Sequence, residues 1–217
     1  MDTAEKILQA ATVLFARWGF DGVSVRDICR EADTSSNAVH YHFKSKENLY
    51  QTIIRRFSED LLDGARRALN RPPADQGEFR VRLQIFTEET LVTFLERRDL
   101  MLIAFNEFVQ MFPHCDESVA HNFMEHGRAV SDYIARAQEK GIVREDLDPQ
   151  AAAELMMETV GMNVLCGEVR KQFEEGSLKD PEYRTEWVNR RLNILFVGML
   201  IPQPAAEKSS AVSAPSR

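Results

Sequence analysis

The densest chemistry in the chain lies in one stretch, Thr34-Ser-Ser-Asn-Ala-Val-His-Tyr-His-Phe-Lys-Ser-Lys46. It brings together two lysines, two histidines, a tyrosine, an amide and several hydroxyls, with no acid, in a protein of formal net charge -7. Ammonium, imidazole, phenol and hydroxyl donors suit phosphate oxygens, and Asn or Arg can also read base edges. On a helix of about two turns, Ala38, Val39 and Phe43 would hold the segment down. Ser36, Asn37, His40 and Tyr41 then point outward.

A second cluster, His114-Cys-Asp-Glu117 with His121 and His126, invites a metal reading. Its spacing matches no ligand set, so a solvated loop with surface histidines is expected and no metal is assigned. Cys29, Cys115 and Cys166 are far apart and odd in number. Neither a disulfide framework nor a cysteine zinc site follows, and small buried residues are expected. No nucleophile-base pair, paired catalytic carboxylates or cofactor loop stands out, which argues against an enzyme and against a cofactor.

The elements that must position the first stretch are helical. Ile7, Leu8, Ala11, Leu14, Phe15 and Trp18 recur at helical spacing, and Gly19 follows as a C-cap. Ser24-Val-Arg-Asp27 has the form of a capping box opening a short second helix that ends near Ala32. Asp33-Thr34 makes the turn, with aspartate able to take a left-handed conformation, and Thr34 or Ser35 caps the third helix. Two short helices around a tight turn form a helix-turn-helix. A long helix from Ser45 to about Arg71 follows, roughly 26 residues and some 40 Å, long enough to join this unit rigidly to a second one.

Further helices are expected over about Gly77 to Arg97, Asp99 to Met111, Glu117 to Lys140, Asp148 to Glu175 and Pro181 to Ile201. No stretch alternates as a half-buried strand does, so the fold class is all-α with about nine helices. The organisation reads as residues 1–48, a helix-turn-helix domain; 49–201, a second helical domain, to which the resemblance described below gives effector binding and dimerisation; and 202–217, a low-complexity tail expected to be disordered. Charge divides the same way. Residues 1–71 hold 11 Lys+Arg against 10 Asp+Glu, and the remainder 16 against 24. No apolar run reaches the roughly 18 residues of a membrane span and the start lacks a signal peptide's apolar core, so a soluble, cytoplasmic protein is expected.

The first 50 or so residues resemble the DNA-binding domain of the TetR family of bacterial transcriptional regulators. The likeness is carried by Ile7-Leu-Gln-Ala-Ala-Thr-Val-Leu-Phe-Ala-Arg-Trp-Gly-Phe20, by Val23-Ser-Val-Arg-Asp-Ile28 and by Ala38-Val-His-Tyr-His-Phe-Lys-Ser-Lys-Glu-Asn-Leu-Tyr50. Three residues depart from the family pattern: Asp33 replaces the usual glycine, Thr34 the usual valine, and His40 a frequent tyrosine or asparagine. Position by position, the resemblance implies DNA contacts at Ser24, Arg26, Ser36, Asn37, His40, Tyr41, His42 and Lys46. Ser24, Tyr41, His42 and Lys46 suit phosphate, and Arg26, Ser36, Asn37 and His40 suit base edges. One head reads only a few base pairs, so a palindromic double-stranded operator and a homodimer are implied.

Beyond about residue 55 only the layout is similar. Leu155, Met156, Met157, Val160, Met162, Val164, Leu165 and Val169 make the helix of 148–175 apolar on most sides, and Leu192 to Ile201 is similar. These two helices, 148–175 and 181–201, are the expected dimer surface. Seven of thirteen phenylalanines lie between residues 79 and 124. With the resemblance, they imply a small apolar or aromatic effector, with Phe105, Phe108, Met124 and Met162 as wall residues. The function expected is a homodimeric, ligand-responsive repressor. The alternative is an all-α carrier or enzyme whose N-terminal unit only packs.

Overall fold

A computed structural model describes residues 2–167 and 176–202. Among them are nine α-helices and no strand: α1 Thr3–Trp18, α2 Val25–Glu31, α3 Ser36–Phe43, α4 Lys46–Ala68, α5 Gln76–Glu96, α6 Arg98–Val109, α7 Glu117–Glu139, α8 Pro149–Leu165 and α9 Pro181–Met199. The only departure from helix and loop among these residues is an isolated antiparallel bridge between Val143 and Leu200. The expected continuation of α8 over 168–175, Val169 included, and the expected tail over 203–217 lie outside the described residues. None of the described helices is long and apolar enough to cross a membrane.

Local chemistry explains the helix starts. Ser24, Ser35, Ser45, Asp75, Asp116, Asp148 and Asp180 each accept a backbone N–H of the first turn, satisfying donors that the helix itself cannot pair. Pro149 and Pro181 occupy the first helical position, where no intrahelical N–H is needed. Helix α4 runs 23 residues, roughly 35 Å, a little shorter than its sequence pattern allows, because it ends at Ala68 ahead of the Arg-Pro-Pro break.

Two apolar clusters divide the molecule into a head and a body. Ile7, Ala11, Phe15, Ile28, Val39, Leu49, Tyr50, Ile53 and Ile54 build the head, whereas Phe57, Leu61 and Ala65 of the same helix α4 belong to the body with α5, α7, α8 and α9. The change therefore falls inside α4, between Ile54 and Phe57. Ile103 of α6 and Val119 of α7 are buried in the head cluster, so the head rests on two body helices rather than hanging from α4 alone.

Candidate nucleic-acid interface

The helix-turn-helix is α2 and α3 closed by Asp33, whose φ of 48° lies in the left-handed region. Thr34 N–H returns to the Cys29 carbonyl at 2.9 Å, closing α2 in the manner of a glycine-terminated helix. A short polar side chain tolerates this conformation better than most, so aspartate can serve where glycine is usual. Val39 and Phe43 are buried beneath α3 and Ala38 is half-buried, while Ser36, Asn37, His40, Tyr41 and His42 are all exposed. Tyr41 is 75% exposed, far more than a tyrosine used for packing. Its ring meets His42 edge-on at 5.1 Å, and the Lys44 ammonium lies 6.0 Å from its centre.

Three of the expected contacts differ in what their side chains already do. Ser24 and Asp27 form a complete capping box: the Ser24 hydroxyl donates to Asp27 Oδ2 at 2.6 Å and accepts from Asp27 N–H at 3.2 Å. Those Ser24 bonds, with help from the Arg30 guanidinium, hold the Asp27 carboxyl below the usual range. The proton of Ser24 is thus committed, and a phosphate would have to compete for it. Arg26 is exposed and has no ion-pair partner among the described residues, because Arg30 takes Asp27 at 2.7 Å. Lys46 is half-buried: its ammonium donates to the carbonyls of Phe20 at 3.0 Å and Val23 at 3.1 Å and lies 4.0 Å from the centre of the Phe20 ring. It clamps the loop between α1 and α2, with one donor left for a phosphate. Lys44 is exposed in the same acid-free stretch, its ammonium donating to the Tyr41 carbonyl at 3.3 Å, and adds a further cation to this face.

Phe105, Phe108, Met124 and Met162 are 40 to 55% exposed, and no described cavity is lined by any of them. A cleft of about 670 Å³ lies between α1, α4 and the α5–α6 corner, over Leu8, Ile53 and Phe57 with a charged rim. Another of about 470 Å³ separates α4 from α5, lined by Leu61, Ala65, Phe86, Thr90 and Arg184 among others. Behind Phe86 is His126, its ring 5.6 Å away and only 5% exposed. Burial lowers its pKa to about 4, and it forms no hydrogen bond among the described residues.

His126 is therefore not the surface histidine its sequence neighbourhood implied. His114 is not one either: its ring lies against Phe20 at 4.4 Å, tilted by 37°, and bonds to Glu107, so the cluster His114 to Glu117 is partly built into the fold. No group of His, Cys, Asp and Glu among the described residues could hold a metal. The three cysteines are free and half-buried rather than buried.

A buried tripod of α1, α2 and α3 that presents a polar helix, set on an all-helical body, defines a helix-turn-helix protein of the two-part kind. Residues 7–53 match the family model "Bacterial regulatory proteins, tetR family", so this domain is similar to the DNA-binding domain of that family. It is 37% identical over 59 residues to the probable HTH-type transcriptional regulator YttP of Bacillus subtilis, covering 27% of this chain and 28% of that protein. It is 38% identical over 53 residues to the HTH-type transcriptional repressor KstR2 of Mycolicibacterium smegmatis, covering 24% and 26%. The aligned stretch thus spans about a quarter of these relatives. The structure of the ketosteroid transcriptional regulator KstR2 of Mycobacterium tuberculosis superposes with a TM-score of 0.71 over 93% of this chain and 96% of that one. At 21% identity this shows a shared fold.

Proposed function

We propose that this protein is a homodimeric transcriptional regulator that binds a palindromic operator through α3 and releases it when a small effector binds the body. The observation that carries the reading is the division of labour on α3: its apolar residues are buried, and five polar side chains in an acid-free stretch face solvent. Five exposed hydrogen-bonding side chains with no acid among them suit phosphate oxygens and base edges. In this reading Ser36, Asn37, His40 and Arg26 address base edges, and Tyr41, His42, Lys44 and the free donor of Lys46 address phosphates.

The dimer has a surface available. Leu155, Thr159 and Met162 line one side of α8, and Ile194 and Val197 one side of α9, with Ile201 just beyond its end; Ile194 and Val197 are 75% and 83% exposed. Apolar side chains exposed at helical spacing on two helices fit a four-helix interface between two copies. Met162 serves that interface better than an effector wall. For the effector, the α4–α5 cleft replaces the expected phenylalanine wall, offering Leu61 and Phe86 to an apolar skeleton and Thr90 to a polar group. The similar structure is titled a ketosteroid transcriptional regulator, and a ketosteroid has an apolar skeleton of that kind.

A gel shift with the DNA flanking the protein's own gene tests the proposal. Sequence-specific, salt-sensitive binding that candidate apolar molecules reverse supports it. Absence of binding at low salt across that region would favour a carrier or enzyme. If the molecules strengthen the complex instead, the protein is a regulator with the opposite sign, since an effector shifts only toward the state it binds more tightly.

A further inference from the structure

We infer that Glu107 is the positioning residue that fixes the angle of the DNA-reading head on the body, a reading that rests on the proposed function. Glu107 of α6 is 3% exposed, and its carboxylate gathers groups from both sides of the head–body boundary. Tyr50 of α4 donates its hydroxyl to Oε1 at 2.7 Å. The His114 backbone N–H meets Oε2 at 3.2 Å, His114 Nδ1 lies 2.9 Å from Oε1, and the Cys115 thiol lies 3.4 Å from Oε2. The carboxylate thus meets four hydrogen-bonding groups; among them only the His114 imidazole can carry a positive charge.

The cluster connects directly to the DNA side. Phe20, in the loop between α1 and α2, lies against His114 at 4.4 Å and against Tyr50 at 5.0 Å. The same Phe20 ring lies under the Lys46 ammonium, which ties the Phe20 and Val23 carbonyls just ahead of the α2 cap. An unbroken set of contacts therefore runs from α6 through Glu107, His114 and Phe20 to the start of the helix-turn-helix. The turn that delivers His114 is itself held in an uncommon conformation. Met111 and Phe112, neither a glycine, take φ of 62° and 57°, and such residues persist only where the surroundings over-determine them.

Stability alone does not call for this arrangement. A buried carboxylate is costly to desolvate, and apolar residues of similar volume often serve stability as well or better. What a satisfied polar cluster adds is a single geometry, because its donors and acceptors match in one register only. In a dimer that geometry sets the separation of the two α3 helices, and with it the half-site spacing that DNA must offer.

The test compares wild type with Glu107→Gln and Tyr50→Phe on a series of palindromes, selected by the wild-type protein, whose half-site separation changes one base pair at a time. Each added pair shifts the half-sites by roughly 3.4 Å and about a tenth of a turn. Wild type should lose about tenfold or more in affinity one pair from its optimum, and Glu107→Gln about threefold or less, because a loosened head adapts. Tyr50→Phe keeps the ring contacts and removes one bond, so it should fall between. Thermal melts confirm that each variant is folded. Wild-type spacing dependence in both folded variants overturns the inference. A second arm needs no DNA: hydrogen exchange over residues 19–23 and 111–116 should quicken in Glu107→Gln, and unchanged exchange overturns the inference on its own. If wild type selects no DNA while the exchange arm responds, the proposed function fails and the link between head and body stands.

Discussion

Removing the buried imidazole of His126 should change how stability depends on pH. The ring sits beside Phe86 with no hydrogen bond among the described residues, and burial holds its pKa near 4 against an ordinary 6.5. Above about pH 6.5 the group is neutral in folded and unfolded chains alike. As the pH falls from there, the unfolded chain takes up a proton that the folded one refuses, so folded stability is lost down to about pH 4 and levels off below it. The full gap between the two pKa values corresponds to roughly 3 kcal/mol, of which about 2 kcal/mol falls between pH 7.5 and pH 5. For a chain of 217 residues, that is a Tm decrease of about 4 to 8 °C. Thermal melts of wild type and His126→Leu across this range isolate the effect, because the other four histidines are common to both. Leucine has a similar volume and nothing to titrate, so the variant's Tm should fall less on acidification. Parallel Tm curves would refute the burial argument.

Tyr41→Ala should weaken binding to all DNA sequences alike, whereas Asn37→Ala or His40→Ala should alter which base pairs are preferred; competition gel shifts on a palindrome library separate the two patterns. Lys46→Met keeps the aliphatic cover over Phe20 but deletes both carbonyl bonds, so hydrogen exchange at residues 20–23 should quicken even without DNA, and wild-type exchange would return Lys46 to a purely phosphate role. Gly22→Ala places a Cβ 2.3 Å from the Trp18 carbonyl oxygen, a backbone atom that cannot swing away, and should destabilise the head by about 1 to 3 kcal/mol in denaturant titrations. Ile194→Asp combined with Val197→Asp should leave a folded monomer in sedimentation and abolish high-affinity operator binding; a persistent dimer would move the interface elsewhere.

The head was legible because its signals are local. A Ser-x-x-Asp pattern closed as a capping box, a residue able to turn left-handed did so at Asp33, and an acid-free polar run faced solvent on α3. The body resisted because hydropathy gives a helix face only when one side is polar. Helix α6 is apolar nearly all round, so nothing in its sequence chooses between its sides. The fold buries Met101, Ile103 and the charged Glu107 and leaves Phe105 and Phe108 outside, the reverse of a ranking by hydrophobicity. Glu107 is tolerated inside because Tyr50, His114 and Cys115 come to it from 57, 7 and 8 positions away in sequence. The nearer two reach it only through the reversed backbone at Met111 and Phe112, and neither the reach nor the turn leaves a periodic trace. His126 was misread for a related reason. It follows two surface-like histidines in sequence, but α7 turns it inward toward Phe86.

The placement of Lys46 bears on how the head earns specificity. A lysine that only touched phosphate would add affinity for every sequence and be screened by salt. Lys46 instead spends two of its donors on the loop ahead of α2, and the ring it covers is the one that rests on His114. The contact that would anchor the recognition unit to DNA is thus shared with the contact that anchors it to the body. A phosphate at the remaining donor would draw the ammonium away from the Phe20 and Val23 carbonyls or hold it in place, depending on the angle of the head. Operator affinity and head angle would then be coupled at one residue. In that case Lys46→Met should lower affinity most at the optimal half-site spacing and least away from it, and a uniform loss at every spacing would show that the two anchors act independently.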